Sequence, residues 1–170
     1  MKKIATAIAL AACATASQAA ELTITLTNAT HGIAFTPLAA AAHNAETGIF
    51  SSGSEASAGL ETLAEMGGIG GVVADLEAAG ADVAAGSDGE DSTPGASDGP
   101  LTAGNSVTFT LSTSAGNEYL SLAAMLLPTN DGFVGLSNWK IPTEPGTYRV
   151  NLNAYDVAAA APTRSRPRRR

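Results

Sequence analysis

Two aspartates, each beside an apolar segment, have side chains suited to binding a cation. Asp131 follows the apolar run 122–127 and precedes a glycine turn, and Asp156 closes the alternating segment Asn151–Asp156. Carboxylate oxygens are the ligands that calcium prefers in proteins. We therefore expect Asp131 and Asp156 to lie at the ends of two strands and to converge on one calcium ion.

The segments that must hold these carboxylates have the pattern of strands separated by turns. Apolar and polar residues alternate in Glu21–Asn28, in 107–111 and in Thr147–Tyr155, whereas Tyr119–Leu127 is almost continuously apolar. Alternation is typical of a half-buried strand, and a continuous apolar run is typical of a strand covered on both faces. The turn at Ser114–Asn117 predicts that its two flanking strands form a hairpin. An antiparallel β-sandwich, mainly β, fits this pattern.

A short helical insertion interrupts the strands. Ser57–Met66 has apolar residues on one face and glutamates on the other, and a second helix is predicted from residue 69 or 70 to Ala79. Residues 81–99 are rich in Gly, Ser and Asp, which predicts a flexible acidic loop. The carboxylates of that loop lack the ligand spacing of an EF-hand, so we interpret them as solvated charge.

The first 19 residues have the features of a signal peptide. Lys2 and Lys3 precede the apolar stretch 4–12, and Ala19 offers a small residue for cleavage. The stretch is shorter than the roughly 20 residues that a transmembrane helix needs. We therefore expect an exported protein, periplasmic or extracellular, that begins at Ala20. Residues 10–13 also resemble a lipoprotein processing box, in which case Cys13 would carry a lipid anchor.

Cleavage after Ala19 would leave a mature chain without cysteine, which excludes a disulfide, a zinc-thiolate site and a cysteine nucleophile. Between Glu21 and Asp156, 16 acidic residues face two basic ones, a formal charge of −14. Such a body repels phosphate, so nucleic acid is not an expected partner. Residues 158–170 contain five arginines and no apolar periodicity, and we expect them to be a disordered tail.

No catalytic motif stands out in the chain. His31 and His43 have no partners at the spacing of a zinc site or a nucleophile, and each is expected in a loop or turn. Gly67–Gly71 lacks the Lys-Ser/Thr pair of a nucleotide-binding loop. Phe133 and Trp139 flank the predicted calcium site. We expect them in the core, and the alternative is a rim where a ligand could dock. The chain therefore has no sign of being an enzyme.

Three segments resemble the spondin amino-terminal domain, in the bacterial secreted branch of that family. The most specific segment has the pattern Pro-x-x-Asp, an aromatic residue and Val-Gly-Leu, with Tyr-Asp downstream. The three segments are 56–65, 99–109, and 122–136 taken together with 152–156.

The resemblance implies a sandwich similar to calcium-dependent membrane-binding modules, and it implies calcium ligands at Asp131 and Asp156. The family places a further acidic residue four positions after the second aspartate, where this chain has Ala160. Because affinity follows the number of charged ligands, we expect weak binding, about 10⁻⁴–10⁻³ M or worse. Asn130 and Asn153 are candidates for additional oxygen ligands.

The preferred interpretation is a non-enzymatic binding or adhesion module, with an unknown extracellular or envelope ligand and a membrane surface among the expected partners. Two alternatives remain. One is an envelope-associated structural protein or lipoprotein, whose arginine tail docks on anionic surfaces. The other is a hydrolase that uses Asp131 or Asp156 as an acid or base.

Overall fold

The computed structural model describes residues 19–84 and 99–157. The predicted leader, most of the predicted acidic loop and the arginine tail lie outside these ranges. The described strands all pair in antiparallel fashion, which confirms the predicted fold class. In chain order the elements are β1 (Glu21–Thr27), β2 (Ala34–Phe35), β3 (Ala39–His43), α1 (Ala58–Met66), α2 (Gly70–Ala78), β4 (Asp82–Ala84), β5 (Ser106–Ser112), β6 (Tyr119–Leu127), β7 (Gly132–Lys140) and β8 (Asn153–Asp156).

The strands form two sheets. The small sheet contains β1 and β5, and the large sheet has the order β4-β3-β6-β7-β8, with β2 paired to β6. The small sheet buries Val107, Phe109 and Leu111 against one face of the large sheet, while its threonines and serines point to solvent. This inter-sheet core is what makes the fold a sandwich.

The large sheet is covered on its second face by the two helices. Alternate residues of β3 divide between the two cores, with Ala40 and Ala42 facing the small sheet and Ala39 and Ala41 facing the helices. Strand β6 is buried from Leu120 to Leu126 for the same reason. The prediction that this strand is covered on both faces is therefore confirmed.

Both predicted helices are present, and local chemistry sets their ends. Ser57 caps α1 by accepting a hydrogen bond from the Leu60 amide at 3.2 Å, and Gly67 ends it in the left-handed conformation. The two helices touch at Gly59 and Gly71, where a Cβ on Gly59 would lie 2.8 Å from the Gly71 carbonyl carbon. Glycine at this crossing therefore lets the helices approach closely enough to cover the sheet.

The predicted hairpin between β5 and β6 is wrong. Strand β5 pairs with β1, from Ser112 opposite Glu21 to Ser106 opposite Thr27, whereas β6 pairs with β3 and β7. The physical reason lies in the burial patterns. Both β1 and β5 have one polar face and suit a sheet exposed on one side, but β6 is apolar on both faces and needs a central position.

Four other features differ from the sequence prediction. Residues 82–84, predicted in the flexible loop, form β4, and the strand predicted over Thr147–Tyr155 is regular only in β8. Strand β7 is not predicted by the sequence pattern. His43 is not a loop residue but the fully buried last residue of β3.

Neither helix of the described ranges combines the length and apolar character needed to cross a membrane.

Candidate functional site

The pairing of β7 with β8 brings the two predicted metal-binding residues to one edge of the large sheet. Gly132 lies opposite Asp156, and the Val157 amide donates a hydrogen bond to the Asp131 carbonyl oxygen at 3.0 Å. Asp131 lies in the turn before β7, and Asp156 is the last residue of β8. Residues 25 positions apart in the chain thus occupy neighbouring rungs of one ladder.

The two aspartates have unequal surroundings. Asp156 is exposed, whereas Asp131 is half-buried in the turn. Neighbouring rungs of a regular ladder point to opposite faces, and Asp131 lies one residue before the first residue of β7. Asn130 is exposed beside Asp131. Asn153 lies opposite Gly135, about 10 Å along the strand from Asp156, so it is too far away to complete a shared coordination sphere.

A cleft of about 300 Å³ opens beside Asp156. One wall is the loop that leads into α1, and the other is the end of the β7–β8 pair. Within residues 19–84 and 99–157, two carboxylates, Glu55 and Asp156, line the cleft, and no lysine, arginine or histidine does. The lining residues are Ile49, Phe50, Ser51, Ser52, Gly53, Ser54, Glu55, Ala56, Ser57, Leu60, Phe133, Tyr155, Asp156 and Val157.

Three aromatic rings form an apolar wall of this cleft. Phe50 contacts Tyr155 with a centroid distance of 4.7 Å and Phe133 with 5.0 Å, both in edge-on geometry. Phe133 and Tyr155 stack at 5.3 Å with an interplanar angle of 23°. Phe133 is buried, while Phe50 and Tyr155 are half-buried at the surface. The cleft thus combines aromatic surface with negative charge.

The sequence from residue 26 to residue 165 matches the family model Spondin_N, which describes the spondin N-terminal domain. The chain belongs to this family. No curated protein matches it. The resemblance noted from the sequence is confirmed by this match, and the spondin N-terminal domain is typical of secreted proteins and is generally not an enzyme family.

The geometry gives a physical reason for the glycines of the motif in this spondin domain. A Cβ on Gly135 would lie 2.7 Å from Cε1 of the Phe50 ring and 3.2 Å from the Leu122 carbonyl oxygen. Gly135 therefore lets the Phe50 ring rest on the backbone of β7. Similarly, a Cβ on Gly132 would lie 2.6 Å from the Thr129 hydroxyl oxygen, which closes the turn that holds Asp131.

The spondin domain also contains a buried serine–histidine pair. Ser121 Oγ lies 2.8 Å from His43 Nε2, and His43 Nδ1 lies 2.7 Å from the Asn44 carbonyl oxygen. The carbonyl can only accept, so Nδ1 carries the proton and Nε2 accepts from the serine hydroxyl. Both side chains are fully buried, and Ser121 also accepts from the Asn138 amide at 3.0 Å. Because both side chains are buried, no substrate can reach the hydroxyl. The pair instead supports the irregular register between β6 and β7, where Ser121 accepts the hydrogen bond from Asn138.

At the opposite end of the large sheet, Asp82 binds the loop between β5 and β6. Its carboxylate accepts hydrogen bonds from the Ser114 amide at 2.5 Å, the Ser114 hydroxyl at 2.7 Å and the Asn117 side chain at 2.8 Å. Partial burial acts to raise the pKa of Asp82, but these hydrogen bonds outweigh it and hold the pKa below its ordinary value of 3.8. We call Asp82, Ser114 and Asn117 the clamp.

Phe133 is in the core, as predicted, whereas Trp139 is half-buried, packs against the core and lies away from the aspartates. Trp139 lies near the far end of β7, seven residues beyond Gly132, where it borders a groove of about 750 Å³. The sequence pattern did not indicate Phe50 and Glu55 as site residues, because the loop that carries them has no periodicity. The available signal was an aromatic residue directly before a serine-rich stretch that ends at a helix cap.

Proposed function

We propose that this chain is an exported, non-enzymatic binding or adhesion domain that carries a weak calcium site at Asp131 and Asp156. The observation that supports the site is the β7–β8 register, which places these residues on neighbouring rungs. Membership of the spondin family supports the binding role and the export. A periplasmic or extracellular address would also supply calcium without the need for high affinity.

The composition of the site predicts weak binding. Within residues 19–84 and 99–157, no cluster of three or more His, Cys, Asp or Glu side chains is arranged to hold a metal ion. Calcium takes six to eight oxygens, so two carboxylates leave most positions to backbone carbonyls and water. We therefore expect affinity of about 10⁻⁴–10⁻³ M, the range of extracellular modules.

A calcium ion would also change what the domain can contact. The body between Glu21 and Asp156 carries a formal charge of −14, which repels anionic lipid or polysaccharide. Calcium bound at the sheet edge would supply local positive charge where an anionic surface could approach. A membrane or envelope surface is therefore the partner class that we propose for the calcium-loaded domain.

Calcium titration against thermal stability tests the site. With a Kd of about 1 mM, 10 mM calcium stabilises the folded state by about 1.4 kcal/mol. For a domain of this size, that corresponds to a rise in Tm of about 3–6 °C. Magnesium at the same concentration should have a smaller effect, because it demands stricter octahedral geometry.

Matched variants separate the site from general charge screening. Asp131→Asn and Asp156→Asn should each remove most of the calcium-dependent rise in Tm. Asp75→Asn, which changes an exposed carboxylate on α2, should leave it unchanged. A calcium effect that survives Asp131→Asn, or the absence of any effect at 10 mM, contradicts the proposed site.

A further inference from the structure

We propose that the cleft beside Asp156 binds a guanidinium group, the side-chain head of an arginine. This proposal goes beyond the calcium site and does not require it. It rests on the walls of the cleft, where aromatic rings and two carboxylates border the same open space. A guanidinium group is the cation that uses both kinds of wall at once.

The aromatic wall favours a planar cation. Phe50 and Tyr155 line the cleft at the surface, and buried Phe133 supports both rings from behind. Arginine stacks on aromatic faces and is more weakly hydrated than an ammonium group. A volume of about 300 Å³ is at the small end of ligand sites. It suits a single side chain better than a large molecule.

The charged wall excludes anions. Glu55 and Asp156 place two carboxylates at the cleft, and none of its described lining residues is basic. The N-terminus of α1 reaches the cleft through Ser57, and its dipole is equivalent to about half a positive charge. The full negative charge of Glu55 alone outweighs this dipole. Carboxylates also accept the parallel hydrogen bonds that a guanidinium fork donates.

Arginine could reach the cleft from two sources. The C-terminal segment of the chain itself carries five arginines, beginning seven residues after Val157, which lines the cleft. Seven residues extend over at most about 25 Å, so the chain is long enough for one of them to occupy its own cleft. The other source is an arginine on a separate protein. The chemistry is the same in both cases, and truncation distinguishes them.

The test is isothermal titration of the full mature chain with N-acetyl-arginine amide, in low salt and with a calcium chelator present. The control probe is N-acetyl-citrulline amide, which has the same shape but no charge. We expect saturable binding of the arginine probe in the millimolar range and at least tenfold weaker binding of the citrulline probe. Binding of both probes with similar affinity overturns the proposal.

Variants of the chain show where the probe binds. Glu55→Gln should lower the affinity for the arginine probe about two- to fivefold, and Tyr155→Leu should lower it by a similar factor. Glu55 lies in an exposed loop, so its variant remains informative even if Tyr155→Leu impairs folding. Glu65→Gln removes an exposed carboxylate of α1 that does not line the cleft, and it should have no effect. An unchanged affinity for Glu55→Gln overturns the assignment.

A chain ending at Val157 identifies the source of the arginine. If the chain's own arginines occupy the cleft, this truncation should tighten binding of the probe at least threefold. If affinity is unchanged, the guanidinium group comes from another molecule. Because the titration is done without calcium, a failure of the calcium site leaves this result intact, and a failure here leaves the calcium titration intact.

Discussion

The two ends of the large sheet use carboxylates in opposite ways. At the clamp, the Asp82 carboxylate receives three hydrogen bonds from Ser114 and Asn117 and joins β4 to the loop between β5 and β6. At the other end, Glu55 and Asp156 border a cleft that aromatic side chains wall on one side. The first carboxylate faces donors of its own chain, and the other two line a cleft.

This contrast separates acidic residues that stabilise the fold from those that can serve a ligand. A carboxylate saturated by backbone and side-chain donors has little capacity left for a cation, and its loss exposes unpaired donors. An exposed carboxylate at the rim of a cleft, such as Glu55, can approach a cation in that cleft. The chain has 16 acidic residues. Whether hydrogen-bond donors surround a carboxylate therefore indicates its role better than the residue type does.

The largest effect is expected at the cleft end, from Gly135→Ala. The new Cβ would lie 2.7 Å from the Phe50 ring and 3.2 Å from the Leu122 carbonyl oxygen, which belongs to the central strand β6 and cannot retreat. We expect a loss of about 2–3 kcal/mol in unfolding free energy, as for other overpacked sites. Chemical denaturation measures it.

The matched control for this substitution is Gly68→Ala. A Cβ on Gly68 would have only an ordinary contact, 3.5 Å from Thr62 Cγ2, and its backbone is not left-handed. Its cost should stay below about 0.5 kcal/mol. Equal stability losses for Gly135→Ala and Gly68→Ala would contradict the idea that Gly135 makes room for the aromatic wall.

A smaller effect is expected at the clamp, from Asp82→Ala. The substitution leaves the Ser114 amide and hydroxyl without their acceptor, although Asn117 keeps its 3.0 Å hydrogen bond to the Gly80 carbonyl. Because Ser114 is exposed and water can replace part of what is lost, we expect a cost of about 1–2 kcal/mol. The same variant should bind the arginine probe normally. A loss of probe binding would show that the two ends are coupled.

The sequence predicted individual strands better than their partners. Alternation of apolar and polar residues located β1 and β5 and their buried faces, and the continuous apolar run located β6. Pairing depends on which strand must be central, and that depends on the helices that cover the second face of the large sheet. A local turn signal at Ser114–Asn117 does not contain this information, so it predicted a hairpin that the fold does not form.

The candidate site was partly predictable for a related reason. Asp131 and Asp156 were recognisable because both follow the strand pattern and belong to the family motif, and β7–β8 pairing places them on neighbouring rungs. Phe50 and Glu55 lie in an irregular loop, where no period indicates which side chains face inward. Contacts of Phe50 with Gly135, Phe133 and Tyr155 bring that loop to the sheet edge.

The smallest expected effect is the pH dependence of the clamp. The folded-state pKa of Asp82 is lower than its ordinary value of 3.8, so the unfolded chain binds protons more readily. The stabilisation is therefore complete above about pH 5 and is lost as the pH falls through the lowered pKa. We expect the stability difference between the parent chain and Asp82→Asn to shrink between pH 5 and about pH 2, as measured by denaturation at each pH. The effect is small because a neutral carboxyl still accepts hydrogen bonds.

Asp75→Asn at an exposed helix position serves as the control. A stability difference for Asp82→Asn that stayed constant over this pH range would mean that the charge of Asp82 contributes nothing to the clamp.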